Sequence, residues 1–176
     1  MRKVLYILGQ LSDADVSWIA TTGKRVKHTQ GTELIRHGVA LAHLFIILDG
    51  EVSIRTNKGF ELAKVSSGDI LGEMSLVDAR PPSASAIVLC DAYVLALEKS
   101  VLQHKLDSDP GFASRFYRAM AIFLSERMRS TVGRMGYGDD ADDDSAVDED
   151  ELDTNVLDNV HLAGARFERL LNQLMG

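Results

Sequence analysis

The most informative segment of this chain is GEMSLVDARPPSASA, residues 72–86. Its Gly-Glu step predicts a short helix whose first backbone N–H groups suit an anion. Gly72 has no Cβ and lets the backbone approach a ligand closely, and the Glu73 carboxylate can accept hydrogen bonds from a sugar hydroxyl. Small residues at 83–85 leave room beside a phosphate. The segment therefore predicts a pocket for a small anionic ligand.

Around this segment, residues 24–98 alternate short, partly apolar runs with turn signals. The run 43–48 is apolar and β-branched, which predicts a buried strand. Residues 51–56 alternate polar and apolar side chains, which predicts a strand with one solvent-exposed face. Many short strands at near-regular spacing predict a mainly β fold with flanking helices, an antiparallel jelly-roll β-barrel (double-stranded β-helix).

Helical patterns lie on both sides of the strands. Residues 1–22 are predicted to be helical, with Ser12 among the N-cap candidates. After Pro110, apolar residues recur every three or four positions and predict one long amphipathic helix over 112–133. Residues 154–176 form a seam of almost three heptads and predict a C-terminal amphipathic helix. So short a helix is marginal alone and must pack on another surface.

The net charge of −7 is unevenly distributed along the chain. Residues 139–153 hold ten of the 26 acidic side chains and no Lys or Arg, whereas residues 1–138 have 14 acidic and 17 basic side chains, a net charge of +3. An acidic run of this kind repels itself and buries little apolar surface. We therefore expect a domain over 1–135, a disordered acidic linker over 136–153, and a C-terminal helix over 154–176.

The segment 72–86 resembles the phosphate-binding cassette of the cyclic-nucleotide-binding domain family, of the catabolite-activator and protein-kinase-A regulatory-subunit type. The resemblance extends over roughly residues 10–133 and includes the glycine turn Leu48-Asp49-Gly50-Glu51-Val52. It implies that Glu73 holds a ribose hydroxyl and that an arginine at position 82 holds the cyclic phosphate. Position 82 is a proline in this chain. The chain thus keeps the scaffold of the family and lacks its main phosphate ligand.

The resemblance implies a ligand site formed by residues of the cassette: Gly72, Glu73, Met74, Ser75, Arg80, Ser83, Ala84 and Ser85. Since a charge-assisted hydrogen bond contributes about 1.5–3 kcal/mol, the proline at position 82 predicts that ligand affinity is lower by at least roughly ten- to hundredfold. Arg80 is interpreted either as a replacement that swings into the pocket or as a solvated turn residue, and the second is favoured. Glu73 either contacts the ligand or only orders the loop.

Several chemistries find no support in the sequence. No Cys/His cluster has metal-ligand spacing, and no catalytic triad or paired-carboxylate motif occurs. We therefore expect no metal, no required cofactor and no enzymatic activity. The single cysteine, Cys90, lies in an apolar run and is predicted to be an inert core thiol. The apolar run 4–8 is too short to span a membrane, and we expect a soluble cytoplasmic protein without membrane contact.

The helices and the acidic run suggest partners. Transcription factors of the resembled family have a helix-turn-helix after the long helix, whereas here an acidic run and one helix follow, so we expect no direct DNA binding. Part of the apolar face of the long helix is expected to pack on the barrel as ordinary core. The resemblance to the transcription-factor branch of the family implies that the excess apolar residues form a parallel homodimer seam, and a homodimer is favoured: Phe116, Met120, Phe123 and Met128. The acidic run is interpreted as a solvating tail or as a segment that seeks a protein partner. The terminal helix reinforces the dimer, covers the pocket or binds a partner.

The sequence supports two functional hypotheses. The first is a stand-alone regulatory or sensor domain that binds cAMP or cGMP weakly, or a related small anionic ligand, and signals through its C-terminal helix. The second is a degenerate member of the same fold that acts as a ligand-independent dimerisation or protein-interaction module. Glu73 and Pro82 are the residues that separate the two hypotheses.

Overall fold

The computed structural model describes residues 4–78, 80–134 and 154–175. The chain begins with two helices, α1 (Val4–Gln10) and α2 (Asp13–Thr22). Eight strands follow, with a one-turn helix α3 (Met74–Val77) after the sixth: β1 (Lys24–His28), β2 (Glu33–Ile35), β3 (His43–Asp49), β4 (Glu51–Arg55), β5 (Glu61–Ser66), β6 (Ile70–Leu71), β7 (Ser85–Val88) and β8 (Ala92–Glu98). Three helices complete the fold: α4 (Lys99–Ser108), α5 (Pro110–Arg134) and α6 (Thr154–Met175). The linker predicted over 136–153 lies outside the described residues.

The strands form two four-stranded antiparallel sheets, with the orders β1-β8-β3-β6 and β2-β7-β4-β5. This confirms the predicted mainly β jelly-roll fold with flanking helices. The prediction of a closed barrel is wrong, because the two sheets do not close into a barrel within the described residues. β1 and β6 form the edges of one sheet, and β2 and β5 form the edges of the other.

Strand β3 explains how the two layers of core are divided. Its residues Leu44, Ile46 and Leu48 belong to the cluster shared with the helices, whereas Phe45 and Ile47 belong to the cluster between the sheets. Alternate side chains of a strand point to opposite faces, so both faces of β3 are buried. The buried strand predicted over 43–48 is therefore confirmed.

Strand β4 differs from its prediction. Val52, Ser53 and Ile54 are all buried, so the solvent-exposed face predicted over 51–56 is wrong at Ser53. β4 lies between β7 and β5, and its serine hydroxyl is satisfied by neighbouring side chains. Ser53 Oγ donates to Glu61 Oε2 at 2.8 Å and accepts from Arg55 Nε at 3.0 Å. A buried serine is tolerated because its hydroxyl is fully hydrogen-bonded.

The N-terminus of α2 is joined to α5 through one carboxylate. Ser12 caps α2 as predicted, since its hydroxyl accepts from Asp15 N at 3.2 Å and Asp15 Oδ2 accepts from Ser12 N at 2.7 Å. The same Asp15 carboxylate accepts hydrogen bonds from Nε and Nη2 of Arg115, at 2.6 and 3.0 Å. This bidentate pair fixes the start of the long helix against the N-terminal helices.

The long helix α5 uses its apolar face within the chain. Phe112, Phe116, Met120 and Phe123 are buried in the cluster formed with the other helices, and Met128 is 66% exposed. Three of the four residues predicted to form a dimer seam are therefore core residues. The physical reason is that this face packs into the apolar cluster of the helices, where α1 and α4 lie against α5.

Helix α6 packs on the N-terminal helices of its own chain. Ala163, Phe167 and Leu170 are buried in the same cluster as Ile7 and Leu8 of α1. This confirms the predicted seam for the part of α6 whose side chains are described. Arg166 reinforces the contact, because its guanidinium donates to Asp13 Oδ1 at 2.6 Å and to the Leu8 carbonyl at 2.9 Å.

Cys90 is exposed, so the prediction of a core thiol is wrong. β7 ends at Val88, and the chain bends through Cys90 before β8 begins at Ala92. The apolar run thus continues past the end of its strand.

Among the described helices, none has the length and hydrophobicity needed to cross a bilayer.

Candidate functional site

A cavity of about 220 Å³ opens beside α3. All eight residues predicted to bind a ligand line it, together with Asp78, Pro81, Pro82 and Arg127. Its apolar wall is formed by residues of the strands: Ile35, Ile54, Leu71 and Ala86. The cassette contributes polar groups to one side of the cavity and α5 contributes Arg127 to it. The structure therefore brings the predicted site residues together around one space.

Gly72 sets the geometry of the cassette. It has a φ of 88°, which side chains with a Cβ rarely adopt. A Cβ at this position would also lie 2.6 Å from Leu41 Cδ2 and 2.9 Å from the His43 carbonyl oxygen. Glycine is thus required both for the turn and for the close contact with the start of β3. The helix that follows, α3, is a single turn of four residues.

Glu73 faces inwards and is paired with the long helix. Its side chain is only 3% exposed, and Oε1 accepts a hydrogen bond from Arg127 Nη1. Arg127 lies one helical turn after Phe123 and places its guanidinium 5.9 Å from the centre of that ring. A buried carboxylate requires such a partner, because an isolated buried charge is costly. The Glu73–Arg127 pair therefore connects the cassette to α5.

Ser75 is held by a lysine from the start of α4. Lys99 Nζ donates to Ser75 Oγ, and this hydroxyl donates to the Gly72 carbonyl at 3.2 Å. Burial lowers the pKa of Lys99, and the nearby Glu73 carboxylate opposes part of this effect. The lysine adds a second positive charge behind the cassette.

The far end of the cassette is fixed to β2. Ser85 Oγ donates to Glu33 Oε1 at 3.0 Å and accepts from the His37 backbone N–H at 3.0 Å. Hydrogen bonds from Arg36 and then from Ser85 lower the pKa of Glu33. The Ser85 hydroxyl therefore orders the loop in this structure, while Ser83 is exposed and Ala84 half-buried at the cavity.

Arg80 and Pro82 occupy the tip of the cassette. The Arg80 side chain is 84% exposed, its Nε lies 3.8 Å from Asp78 Oδ2, and its backbone N–H donates to Asp78 Oδ1 at 3.1 Å. This is the geometry of a solvated turn residue. Pro82 lines the cavity and its carbonyl accepts from the Gly38 N–H at 2.8 Å. Neither residue places a cation deep in the cavity.

Among the lining residues that the sequence prediction missed, Arg127 is the one that α5 contributes. It lies 54 residues after Glu73 in the chain, so no local motif links the two. One signal was available, because Arg127 continues the steps of four and three residues set by Phe116, Met120 and Phe123. A charge in phase with a buried face needs a buried partner.

Among the described residues, no group of three or more His, Cys, Asp or Glu side chains is placed to hold a metal.

Comparison with known proteins adds a family match. Residues 25–109 match the family model of the cyclic nucleotide-binding domain. A curated relative, a cAMP-dependent protein kinase regulatory subunit from Colletotrichum orbiculare, is 30% identical over 110 residues, which are 62% of this chain and 28% of that protein. The chain thus spans under a third of the length of this relative.

Solved structures share the fold over most of the chain. A cyclic nucleotide-binding domain from Methylobacillus flagellatus is 26% identical, with a TM-score of 0.68 and coverage of 76% of this chain and 80% of that one. The N-terminal domain of a transcriptional regulator from Streptomyces coelicolor is 29% identical, with a TM-score of 0.60 and coverage of 70% and 94%. Both similarities extend beyond the residues that match the family model.

Proposed function

Because residues 25–109 belong to the cyclic nucleotide-binding domain family, we propose that the cavity beside α3 binds a cyclic nucleotide, cAMP or cGMP, or a related small anionic ligand. The chain then acts as a regulatory domain of the cytoplasm and not as an enzyme. The eight cassette residues contact or enclose the ligand, and Glu73 accepts hydrogen bonds from its sugar. No cofactor is needed for this role.

The observation that supports a regulatory role most directly is the Glu73–Arg127 pair. Glu73 lies in the cavity, and Arg127 belongs to α5. A ligand hydroxyl that donates a hydrogen bond to Glu73 competes with Arg127 for that carboxylate, and so changes the relative stability of two positions of α5. A ligand shifts such an equilibrium by the difference of its affinities for the two states. The output element is therefore the long helix.

Titration of the 176-residue chain with cAMP and with cGMP tests this function. We expect saturable calorimetric heat in the micromolar to millimolar range, and a matching change in Trp18 fluorescence. Trp18 reports on α5 because its ring packs edge-on against Phe112 at a centroid distance of 5.3 Å. Absence of heat from both nucleotides at millimolar concentration would show that the function is wrong.

Two variants test whether Glu73 belongs to the ligand site. Glu73→Gln removes the buried carboxylate and is expected to weaken nucleotide binding and to reduce the Trp18 response. Glu51→Gln changes an exposed carboxylate of β4, outside the cavity lining, and is the matched control. Equal behaviour of both variants would remove Glu73 from the ligand site.

A second function is favoured by Pro82 and by an exposed surface of α5. Four residues at steps of four, three and four form what we call the α5 stripe: Tyr117, Ala121, Leu124 and Met128. Tyr117 and Met128 are 44% and 66% exposed, and Leu124 is partly buried against the helical cluster. The alternative role is a ligand-independent homodimerisation or protein-interaction module, in which α5 contacts a second copy through this stripe. The acidic run and α6 remain candidate contacts for another protein, and no direct DNA binding is proposed.

A further inference from the structure

We propose that Arg127 of α5 holds the anionic group of the ligand, in place of the arginine that is missing from position 82. The inference rests on the proposed function, because it names the residue that recognises the charge of the ligand. It departs from the cassette-based site expected from the sequence, since the cation comes from a helix outside the cassette.

Two arginine side chains bring positive charge to the cavity. Among its described lining residues, Arg80 and Arg127 are the cations. The Arg80 side chain is 84% exposed and lies beside Asp78, whereas the Arg127 side chain is 28% exposed. A charge–charge contact is stronger where water is largely excluded. Arg127 is therefore the better placed of the two to bind an anion.

Arg127 already binds a carboxylate in this cavity. Its Nη1 donates to Glu73 Oε1, and the Glu73 side chain is 3% exposed. The planar guanidinium fork matches the geometry of a carboxylate and of a phosphate alike. The structure thus shows a guanidinium aimed at an anionic oxygen within the space where the ligand is expected.

A ligand that enters the cavity must leave both Glu73 and Arg127 with hydrogen-bond partners. A cyclic nucleotide carries both a phosphate anion and a sugar hydroxyl. The phosphate can take Arg127 from Glu73 while the hydroxyl donates to the Glu73 carboxylate that is left. Neither buried charge then loses all of its hydrogen bonds, which is the condition for exchanging partners in a buried pair. A neutral nucleoside offers the hydroxyl alone and cannot make this exchange.

The test compares cAMP with adenosine, which has no phosphate, by calorimetry on the full chain. We expect Arg127→Gln to weaken cAMP binding by roughly tenfold or more and to change adenosine binding by less than about twofold. Arg127→Lys keeps the charge without the fork, and should retain part of the affinity for cAMP. The matched control is Arg118→Gln, which removes the same charge from an exposed position on the same helix and should leave both affinities unchanged.

A second comparison uses variants that lack the Glu73 carboxylate. In these variants, repulsion between an unpaired Glu73 and the phosphate cannot account for a loss of cAMP affinity. Glu73→Gln and the double variant Glu73→Gln/Arg127→Gln both lack the buried carboxylate, so neither leaves Glu73 as an isolated buried anion. The preference for cAMP over adenosine should fall by roughly tenfold from the single to the double variant. Thermal melting of every variant shows that each is folded.

Three outcomes would overturn the inference. One is an unchanged or tighter affinity of Arg127→Gln for cAMP. Another is an equal loss for cAMP and adenosine in the Glu73→Gln background. The third is that Arg80→Gln, and not Arg127→Gln, removes the preference for cAMP. If the unsubstituted chain binds neither cAMP nor cGMP, the proposed function fails together with the inference, whereas binding with an unaffected Arg127→Gln overturns the inference alone.

Discussion

Pro82 is the residue whose replacement is most informative for affinity. It lines the cavity, and only its carbonyl is used in the loop, as the acceptor for the Gly38 N–H at 2.8 Å. Any residue keeps that carbonyl, so Pro82→Arg adds a guanidinium without removing the bond. We expect cAMP affinity to rise by roughly tenfold or more, as measured by calorimetry. The same gain for adenosine, or no gain for cAMP, would mean that position 82 does not face the phosphate.

The cassette residues could be predicted from the sequence because they are contiguous and Gly72 is constrained by its own backbone turn. Arg127 could not be placed, since its partner Glu73 is 54 residues away. Ser53 was predicted on an exposed face because alternation treats a polar residue as solvated. Its burial depends on hydrogen bonds from other positions. Local patterns therefore identify the loop and miss the contacts that long-range packing creates.

At the scale of elements, the contact of α2 with α5 is predicted to depend on pH. Burial by itself would raise the pKa of Asp15, but hydrogen bonds from Arg115 and Ser12 outweigh it and hold the pKa at about 2. Because this value lies below the ordinary 3.8, the pair stabilises the fold above about pH 4 and loses this effect as the pH falls towards 2.

Asp15→Asn is therefore expected to lower the free energy of unfolding by about 1–2 kcal/mol at pH 7, a figure reduced for the partial exposure of Arg115. The difference from the unsubstituted chain should shrink at pH 3. Urea unfolding followed by Trp18 fluorescence measures both values. Asp49→Asn, at an exposed position at the end of β3, serves as the control. If Asp15→Asn lowered the free energy of unfolding by the same amount at pH 7 and at pH 3, ionisation of Asp15 would not be the source of the pH dependence.

A second prediction at this scale concerns α6. Phe167 is buried among residues of the helical cluster, and Phe→Ala changes in a core cost about 3–5 kcal/mol. A single helix of this length is marginal without its packing. We therefore expect Phe167→Ala to detach α6 while the sheets stay folded, so that trypsin cleaves at Arg166 and Arg169 much faster. Leu162→Ala, at an exposed position on the same helix, should leave the cleavage rate unchanged.

The seam of α6 was predictable, and its partner was not. A heptad pattern shows that one face of a helix must be covered, but it carries no information about which surface covers it. Here the cover comes from α1 and α2, at the opposite end of the sequence. If Phe167→Ala instead lowered the stability of the sheets by the same amount, α6 would be an integral part of the domain and not a separately docked helix.

At the scale of the whole molecule, the remaining exposed apolar surface of α5 concerns assembly. Phe116, Met120 and Phe123 are covered within the chain, which leaves the α5 stripe as the surface for the predicted parallel dimer. Its spacing of four, three and four residues is that of a coiled-coil seam. The residues of the stripe differ from those that line the cavity.

Light scattering after size exclusion tests this assembly. We expect a dimer for the unsubstituted chain and a monomer for Met128→Glu, because a carboxylate in the seam is desolvated without a partner. Phe60→Glu is the matched control, since Phe60 is 69% exposed and lies in the loop before β5 and not on α5. A monomeric unsubstituted chain would refute the dimer and with it the dimerisation role. If Met128→Glu is monomeric and still gives calorimetric heat with a nucleotide, one chain is sufficient for binding. The dimer is then needed for signalling through α5 and not for nucleotide binding.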